Sequence, residues 1–380
     1  MRRQVTTLPA PSTSIPYAMR RIGVVMERDP SRPDEVEGVL NPASAWASDG
    51  KLYLFPRLVA EGNYSRVGRV EVLIEDGLPI GVGRRGVALE PARSWEHGTG
   101  HGGVEDPRIT FIQSLETYVM TYVAFGPLGP RPAIAVSQNA LDWQRLGPIQ
   151  FGYEDGLGVD LNLFPNKDVV FFPEPVFDSR GRRSYAVLHR PMWDFSFVRP
   201  GEIPEFPIGV VDSRPSIWIS CIDAQEVERD ITALTRPRAH RVLAAPSFEW
   251  EALKIGAGPP PLRVSEGWLL IHHGVSGTIV GDPFTTQQNV NYAAGAMILD
   301  ADDPSRIIAR SSTPMLMPES QLETNGIVPN VVFPTSIETI AGVRYVFYGM
   351  ADSSIGVARL DRVTDASHPG FAQQVAEAIR

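Results

Sequence analysis

Five segments of this chain repeat one pattern: "KLYLFPRLV" (51–59), "TYVMTYVAF" (117–125), "SYAVLHRPM" (184–192), "GWLLIHHGV" (267–275) and "RYVFYGMAD" (344–352). Counted from Leu52, Tyr118, Tyr185, Trp268 and Tyr345, they recur at intervals of 66, 67, 83 and 77 residues. Each is rich in aromatic and aliphatic residues, the composition of a buried strand. About a dozen residues before each comes a proline-containing stretch, read as a turn: Asn41-Pro42, Asp106-Pro107, Pro173-Glu174-Pro175, Pro259-Pro260 and Phe333-Pro334. Further short strands follow, among them "GRVEVLIEDG", "SIWISCIDAQ" and "AAGAMILDADD". Four strands per unit, five times over, predict an all-β fold, a five-bladed β-propeller with an axial active site. A sandwich of unrelated hairpins is the alternative. The predicted propeller spans 36–365, between an N-terminal extension (1–35) and a short C-terminal helix or tail (366–380) ending in "FAQQVAEAIR".

Composition narrows the function classes. The 34 prolines and 34 glycines favour turns over long helices. A net charge of -9 argues against nucleic acid or an anionic membrane as partner. Cys221 is the single cysteine, so no disulfide framework or cysteine zinc site is expected. The N-terminal stretch lacks the apolar core of a secretory signal, which makes a cytoplasmic location the expectation. The proline-rich first 35 residues suit packing between subunits of a homo-oligomer.

Residues at equivalent repeat positions face one another across a propeller axis. Five residues after each strand start lie Arg57, Val123, Arg190, His273 and Met350, three of them basic. The preceding turns carry Asn41, Asp106 and Glu174. Polar residues gathered in an apolar repeat mark a site, because buried charges must be paired or used. In "GGVEDPRIT", Asp106 is expected to have its pKa raised by burial and by Glu105, which suits a general acid, while Arg108 balances Glu105. Lys167, Arg190, Lys254 and His273 form a predicted anion site, with phosphate the obvious anion. Metal-ligand spacing, a G-x-S-x-G elbow and a dinucleotide glycine motif are absent. No cofactor or metal is expected.

The motifs "NPASAW" with "LFPRLV", "GGVEDPRIT", "NKDVVFFPE" with "LHRP", "KIGAGPPP" with "GWLLIHHG", "NYAAGAMILDADDP", and "NVVFPTS" with "YGMAD" resemble glycoside hydrolase family 130 from about Asn41 to Asp352. The resemblance implies inverting phosphorolysis of β-mannosides, of the β-1,4-mannooligosaccharide or mannosylglucose type, to α-mannose 1-phosphate. It implies Asp106 as the acid, acting through the 3-hydroxyl of the mannosyl unit, with inorganic phosphate as co-substrate. Phosphate brings its own nucleophilic oxygen, so no second catalytic carboxylate is required. Lys254, His273 and Arg190 match phosphate contacts, with Tyr292 completing the pocket and Lys167 expected to join it; Asn41, Arg57 and Asp352 match residues around the mannosyl ring, with Arg66 a further candidate, and Glu105 and Asp168 are expected beside the sugar. Phosphorylases of the family usually carry Arg-Asn where this chain has Lys167-Asp168, which exchanges a bidentate fork for a point charge and adds a carboxylate.

Two rivals remain. A phosphate-independent β-mannoside hydrolase on the same fold would need a carboxylate to activate water, for which Glu174 or Glu249 is the candidate. A non-catalytic glycan-binding propeller would need none. Linkage and leaving group are expected to be chosen by the long loops at 91–102, 195–215 and 276–290.

Overall fold

A computed structural model describes residues 11–363 except 179, 194–198, 200, 203–204 and 281–286. The described chain forms five antiparallel meanders of four main strands each. Unit one comprises Gly38–Trp46, Leu52–Ala60, Tyr64–Glu75 and Leu78–Leu89; unit two comprises Gly102–Ile112, Thr117–Gly126, Gly129–Ser137 and Gln144–Pro148. Unit three runs through Asn166–Phe171, Arg183–Pro191, Ile217–Asp223 and Arg238–Ala244. Unit four has Lys254–Ala257, Gly267–Gly277, Val290–Leu299 and Ile307–Arg310. Unit five has Val332–Ile340, Val343–Met350 and Ser354–Arg362, and takes its outer strand, Tyr17–Glu27, from the other end of the chain. A segment expected to lie in an N-terminal extension is thus integral to the last sheet. The C-terminal helix expected within 366–380 lies outside the described residues.

The second strands are buried on both faces, since each sheet is packed between two others. Every consecutive pair of units shares an apolar core. Phe55 and Val67 meet Met120 and Tyr122 between units one and two. Val119 and Ile134 meet Phe171 and Trp218 between units two and three. Leu188 and Ile219 meet Ile255 and Trp268 between units three and four. Leu269 and Ile271 meet Val346 and Leu360 between units four and five. Phe347 and Val357 meet Leu54 and Val72 between units five and one. Aliphatic side chains make up most of these seams, with at least one ring in each, and each ring removes on the order of 150–250 Å² from water.

Units one and two are additionally joined by a short parallel contact, Tyr64↔Gly102 and Ser65↔Gly103. A Cβ on Gly103, whose φ is +126°, would stand 2.0 Å from the Ser65 carbonyl oxygen, so only glycine permits this approach.

The five repeated segments prove to be the second strands of their units. Three of the expected proline turns are instead bulges inside first strands, with register shifts between Leu40 and Ala43, Glu105 and Arg108, and Pro334 and Ser336. Proline cannot donate to a ladder and is tolerated where the ladder is already interrupted. Pro173–Pro175 and Pro259–Pro260 follow first strands, before pairing resumes at Val176–Phe177 and Leu262–Val264.

Candidate active site

The bulges aim the polar residues. Leu40 pairs with Arg57, Glu105 with Val123 and Lys167 with Arg190, so the residues that follow, Asn41, Asp106 and Asp168, are structural equivalents. All three adopt the left-handed conformation, with φ of 45°, 47° and 55°. That conformation costs a non-glycine residue roughly 1–2 kcal/mol, and Asn and Asp bear it best. Glu174, expected to be Asp106's equivalent in unit three, is exposed and lies off this position; Asp168 occupies it.

These three side chains line a cavity of about 440 Å³ together with Arg57, Lys167, Arg190, Lys254, Tyr292 and Asp352. On one side, Asp106 Oδ1 accepts from Asn41 Nδ2 at 2.9 Å and lies 3.5 Å from Arg57 Nη1. Arg57 Nη2 also reaches Glu105 Oε1 at 2.9 Å, and Lys167 Nζ lies 3.5 Å from Glu105 Oε2. Glu105 lies off the cavity wall and is balanced by Arg57 and Lys167, which line it. Arg108 does not balance it; its buried guanidinium donates to the carbonyls of Gly258 (3.0 Å), Asp106 (3.1 Å) and Pro107 (3.2 Å) and braces the floor.

The charge state of Asp106 corrects the sequence expectation. Burial pushes its carboxyl up, but Arg57, Lys167 and the Asn41 amide outweigh burial and hold it below the ordinary aspartate value. Asp352, also in the left-handed conformation, behaves oppositely. Burial, with Asp106 and Glu105 adding to it against the pull of Arg57 and Lys167, lifts its pKa to about 6. This side of the cavity thus contains one ionised carboxylate and one that holds a proton in weak acid.

The other side of the cavity is cationic. Arg190 Nε donates to Asp168 Oδ2 at 2.6 Å, while its Nη1 is buried without a partner among the described residues. Lys254 lies 5.3 Å from the centre of the Tyr292 ring and forms no ion pair among the described residues. Burial raises the proton affinity of Asp168, yet Arg190 foremost overrides it and keeps the group far below the usual carboxylate range. A Cβ on Gly256 would stand 2.0 Å from Asp168 Oδ2, so the glycine makes room for that carboxylate.

His273 is fully buried beneath the cavity. Its Nε2 is 3.5 Å from Asp168 Oδ2, and its ring lies against Tyr292 and Phe333 with centroids 6.1 and 4.3 Å away. Burial drives its pKa well below the ordinary value, leaving a neutral imidazole. Arg66 is not brought to the site: it sits on a third strand, paired with Glu90 at 3.0 Å. Glu249, like Glu174, is exposed and off the cavity wall.

Several features escaped the sequence. Met192, Ile279, Val328, Val331 and Phe333 form an apolar wall, and no polar pattern announces such residues. Three buried glutamates also repeat one arrangement. Glu96, Glu251 and Glu323 each accept the backbone N–H groups four and three residues earlier. Each also binds a second-strand side chain (Tyr122, His272 or Tyr348) and an outer-strand arginine (Arg145, Arg310 or Arg21). These latches hold the loops that lead into units two, four and five, including the one before Lys254. The dipeptides Trp95-Glu96 and Trp250-Glu251 at matched places were the available signal. No group of three or more His, Cys, Asp or Glu among the described residues is placed to hold a metal.

A family model described as β-1,4-mannooligosaccharide phosphorylase matches residues 18–366, most of the chain. The chain belongs to glycoside hydrolase family 130. It is an enzyme of the glycoside phosphorylase kind. A 1,2-β-oligomannan phosphorylase of Thermoanaerobacter sp. (strain X514) is 32% identical over 262 residues, covering 68% of each chain. The structure of the β-1,2-mannobiose phosphorylase from Listeria innocua, in complex with β-1,2-mannobiose, superposes with a TM-score of 0.66 at 21% identity, over 91% of this chain and 97% of that one. A further family 130 structure, described as showing that the family contains glycoside hydrolases that target β-1,2 mannosidic linkages in Candida mannan, has a TM-score of 0.65 at 22% identity, over 90% and 93%. At these identities the two structures bear on the fold.

Proposed function

We propose that this family 130 member phosphorolyses β-mannosides with inversion, and that its five units are the blades of a five-bladed β-propeller with the cavity on its axis. The shared cores between every consecutive pair of units, the fifth and first included, support the ring. One observation carries the chemistry. A carboxylate held in a strained bulge, Asp106, shares a cavity with two cations open to an anion: Arg190, whose buried Nη1 lacks a partner among the described residues, and Lys254, which forms no ion pair among them. An anion would satisfy the buried Arg190 donor and neutralise the Lys254 ammonium.

Asp106 protonates the leaving glycosidic oxygen as the bond to the anomeric carbon breaks. A phosphate oxygen held by Arg190 and Lys254 forms the new bond from the opposite face, giving α-mannose 1-phosphate and the free leaving sugar. Since Asp106 is ionised in the free enzyme, it must first take up a proton, which the neighbouring Asp352 carboxyl gives up, before it can pass one to the leaving oxygen. Asn41 and Arg57 fix the acid and border the mannosyl ring. The hydrolase reading loses support, because Glu174 and Glu249 are both off the cavity. The relatives matched over two thirds of the chain are named for β-1,2-linked mannosides, so β-1,2-mannobiose is the first substrate to examine and β-1,4-mannobiose the comparison.

The test is the reverse reaction. With α-mannose 1-phosphate and mannose supplied, inorganic phosphate and a β-linked disaccharide should appear in equal amounts. Release of phosphate with free mannose alone, or no release, would reject phosphorolysis.

A further inference from the structure

The anion site contains a carboxylate of its own, and its placement restricts which anion can enter. Asp168 is the structural twin of Asp106, turned into the cavity by the same bulge at the next unit. Both of its contacts among the described residues are made by Oδ2, to Arg190 Nε at 2.6 Å and near His273 Nε2 at 3.5 Å; its Oδ1 makes none. Arg190, Arg108 and His273 are the groups that face it, and Lys254 lines the same cavity. Gly256 leaves the space its oxygen needs. The carboxylate is therefore built into the site.

An ionised carboxylate only accepts hydrogen bonds. An oxyanion that fills the space beside Asp168 while binding Arg190 Nη1 and Lys254 must offer a hydrogen to Oδ1 or place unpaired oxygens of like charge together. We propose that Asp168 makes this a site for protonated tetrahedral oxyanions, so that phosphate, through its P–OH, is accepted and sulfate, which has no hydrogen at neutral pH, is refused. The inference rests on the phosphorolysis reading above and adds the selectivity of its anion site. Arg190 then serves two partners at once, with Nε on Asp168 and Nη1 on the incoming phosphate. The P–OH remains on Asp168 while a different, unprotonated oxygen attacks the sugar.

The experiment is calorimetric titration of the full chain with inorganic phosphate and, separately, with sulfate at matched ionic strength, for the wild type and for Asp168→Asn. Wild type should bind phosphate at least about 100-fold more tightly than sulfate, the scale on which a buried acceptor rejects an analogue lacking the donor. The asparagine amide in D168N supplies an N–H in place of the acceptor, so the variant's preference should fall below about tenfold, chiefly by gaining sulfate. Sulfate should then compete with phosphate in mannose 1-phosphate formation by the variant and not by the wild type. Equal binding of the two anions by the wild type, or an undiminished preference in D168N, would overturn the proposal and leave phosphorolysis standing. Binding of neither anion by the wild type would end both. If D168N fails to fold, the wild-type comparison decides alone.

Discussion

Replacing Asp106 by asparagine separates chemistry from folding. Asparagine tolerates the φ of 47° at this bulge, and its side-chain oxygen can still accept from Asn41 Nδ2, now 2.9 Å from Oδ1. The ion pair with Arg57 at 3.5 Å is lost, a Coulomb term of roughly 5 kcal/mol at an effective dielectric near 20. Relief of the carboxylate's own burial cost, several kcal/mol, offsets it. Arg57 keeps Glu105 at 2.9 Å and its bonds to Ser65 and Asn63, both also at 2.9 Å. The variant should therefore melt within about 3 °C of the wild type. Turnover should behave otherwise, because the amide has no proton to give. General acid catalysis contributes about 10² to 10⁴-fold, or roughly 3–5 kcal/mol of barrier. The assay is mannose 1-phosphate release from β-1,2-mannobiose at saturating phosphate, beside a melting curve. More than about a tenth of the wild-type rate in D106N would refute the assignment. A rate loss matched by a large fall in melting temperature would recast Asp106 as structural.

Three further outcomes follow from the same geometry. Asp352 titrates at about 6 beside Asp106, so kcat/KM should decline as pH rises above about 6, when the acid pair gives up its proton; a profile flat from about pH 5.5 to 8 would place the proton elsewhere. Lys254→Met should raise KM for phosphate at least about tenfold and leave KM for the mannoside nearly unchanged, measured by varying each substrate in turn. Glu338, whose pKa burial raises to about 7 against the Ser44 hydrogen bond, binds its proton more tightly folded than unfolded. Its presence therefore costs stability progressively as pH rises from about 4.5 to 7, and E338Q should stabilise the protein at about pH 8 by roughly 1–3 kcal/mol, with no gain at about pH 4. Melting curves of E338Q at the two pH values check the sign.

The repeat was legible because buried second strands must be continuously apolar, and their alignment put Arg57, Arg190 and His273 in register, as the pairing confirms. The bulges were not legible. A proline inside a strand looks the same in sequence as a proline in a turn, so Asn41 and Asp106 stood out for their polarity and their backbone role was hidden. Unit three shows the consequence: Pro173 drew attention to Glu174, while the bulge sits at Asp168. The strand Tyr17–Glu27 escaped because two bulges break its alternation and its partner lies at the far end of the chain. The lowered pKa of Asp106 depends on Arg57, 49 residues away in sequence, and a neighbouring glutamate alone suggested the opposite sign. The glutamate latches went unseen for a similar reason: their partners come from three separate segments.

The central claim is that phosphate, and no water-activating carboxylate, receives the mannosyl group. The direct measurement is product formation from β-1,2-mannobiose with and without inorganic phosphate, following mannose 1-phosphate and free mannose together. Mannose 1-phosphate and mannose in equal amounts, formed only when phosphate is present, is the predicted result. Two equivalents of free mannose at a rate indifferent to phosphate would contradict it.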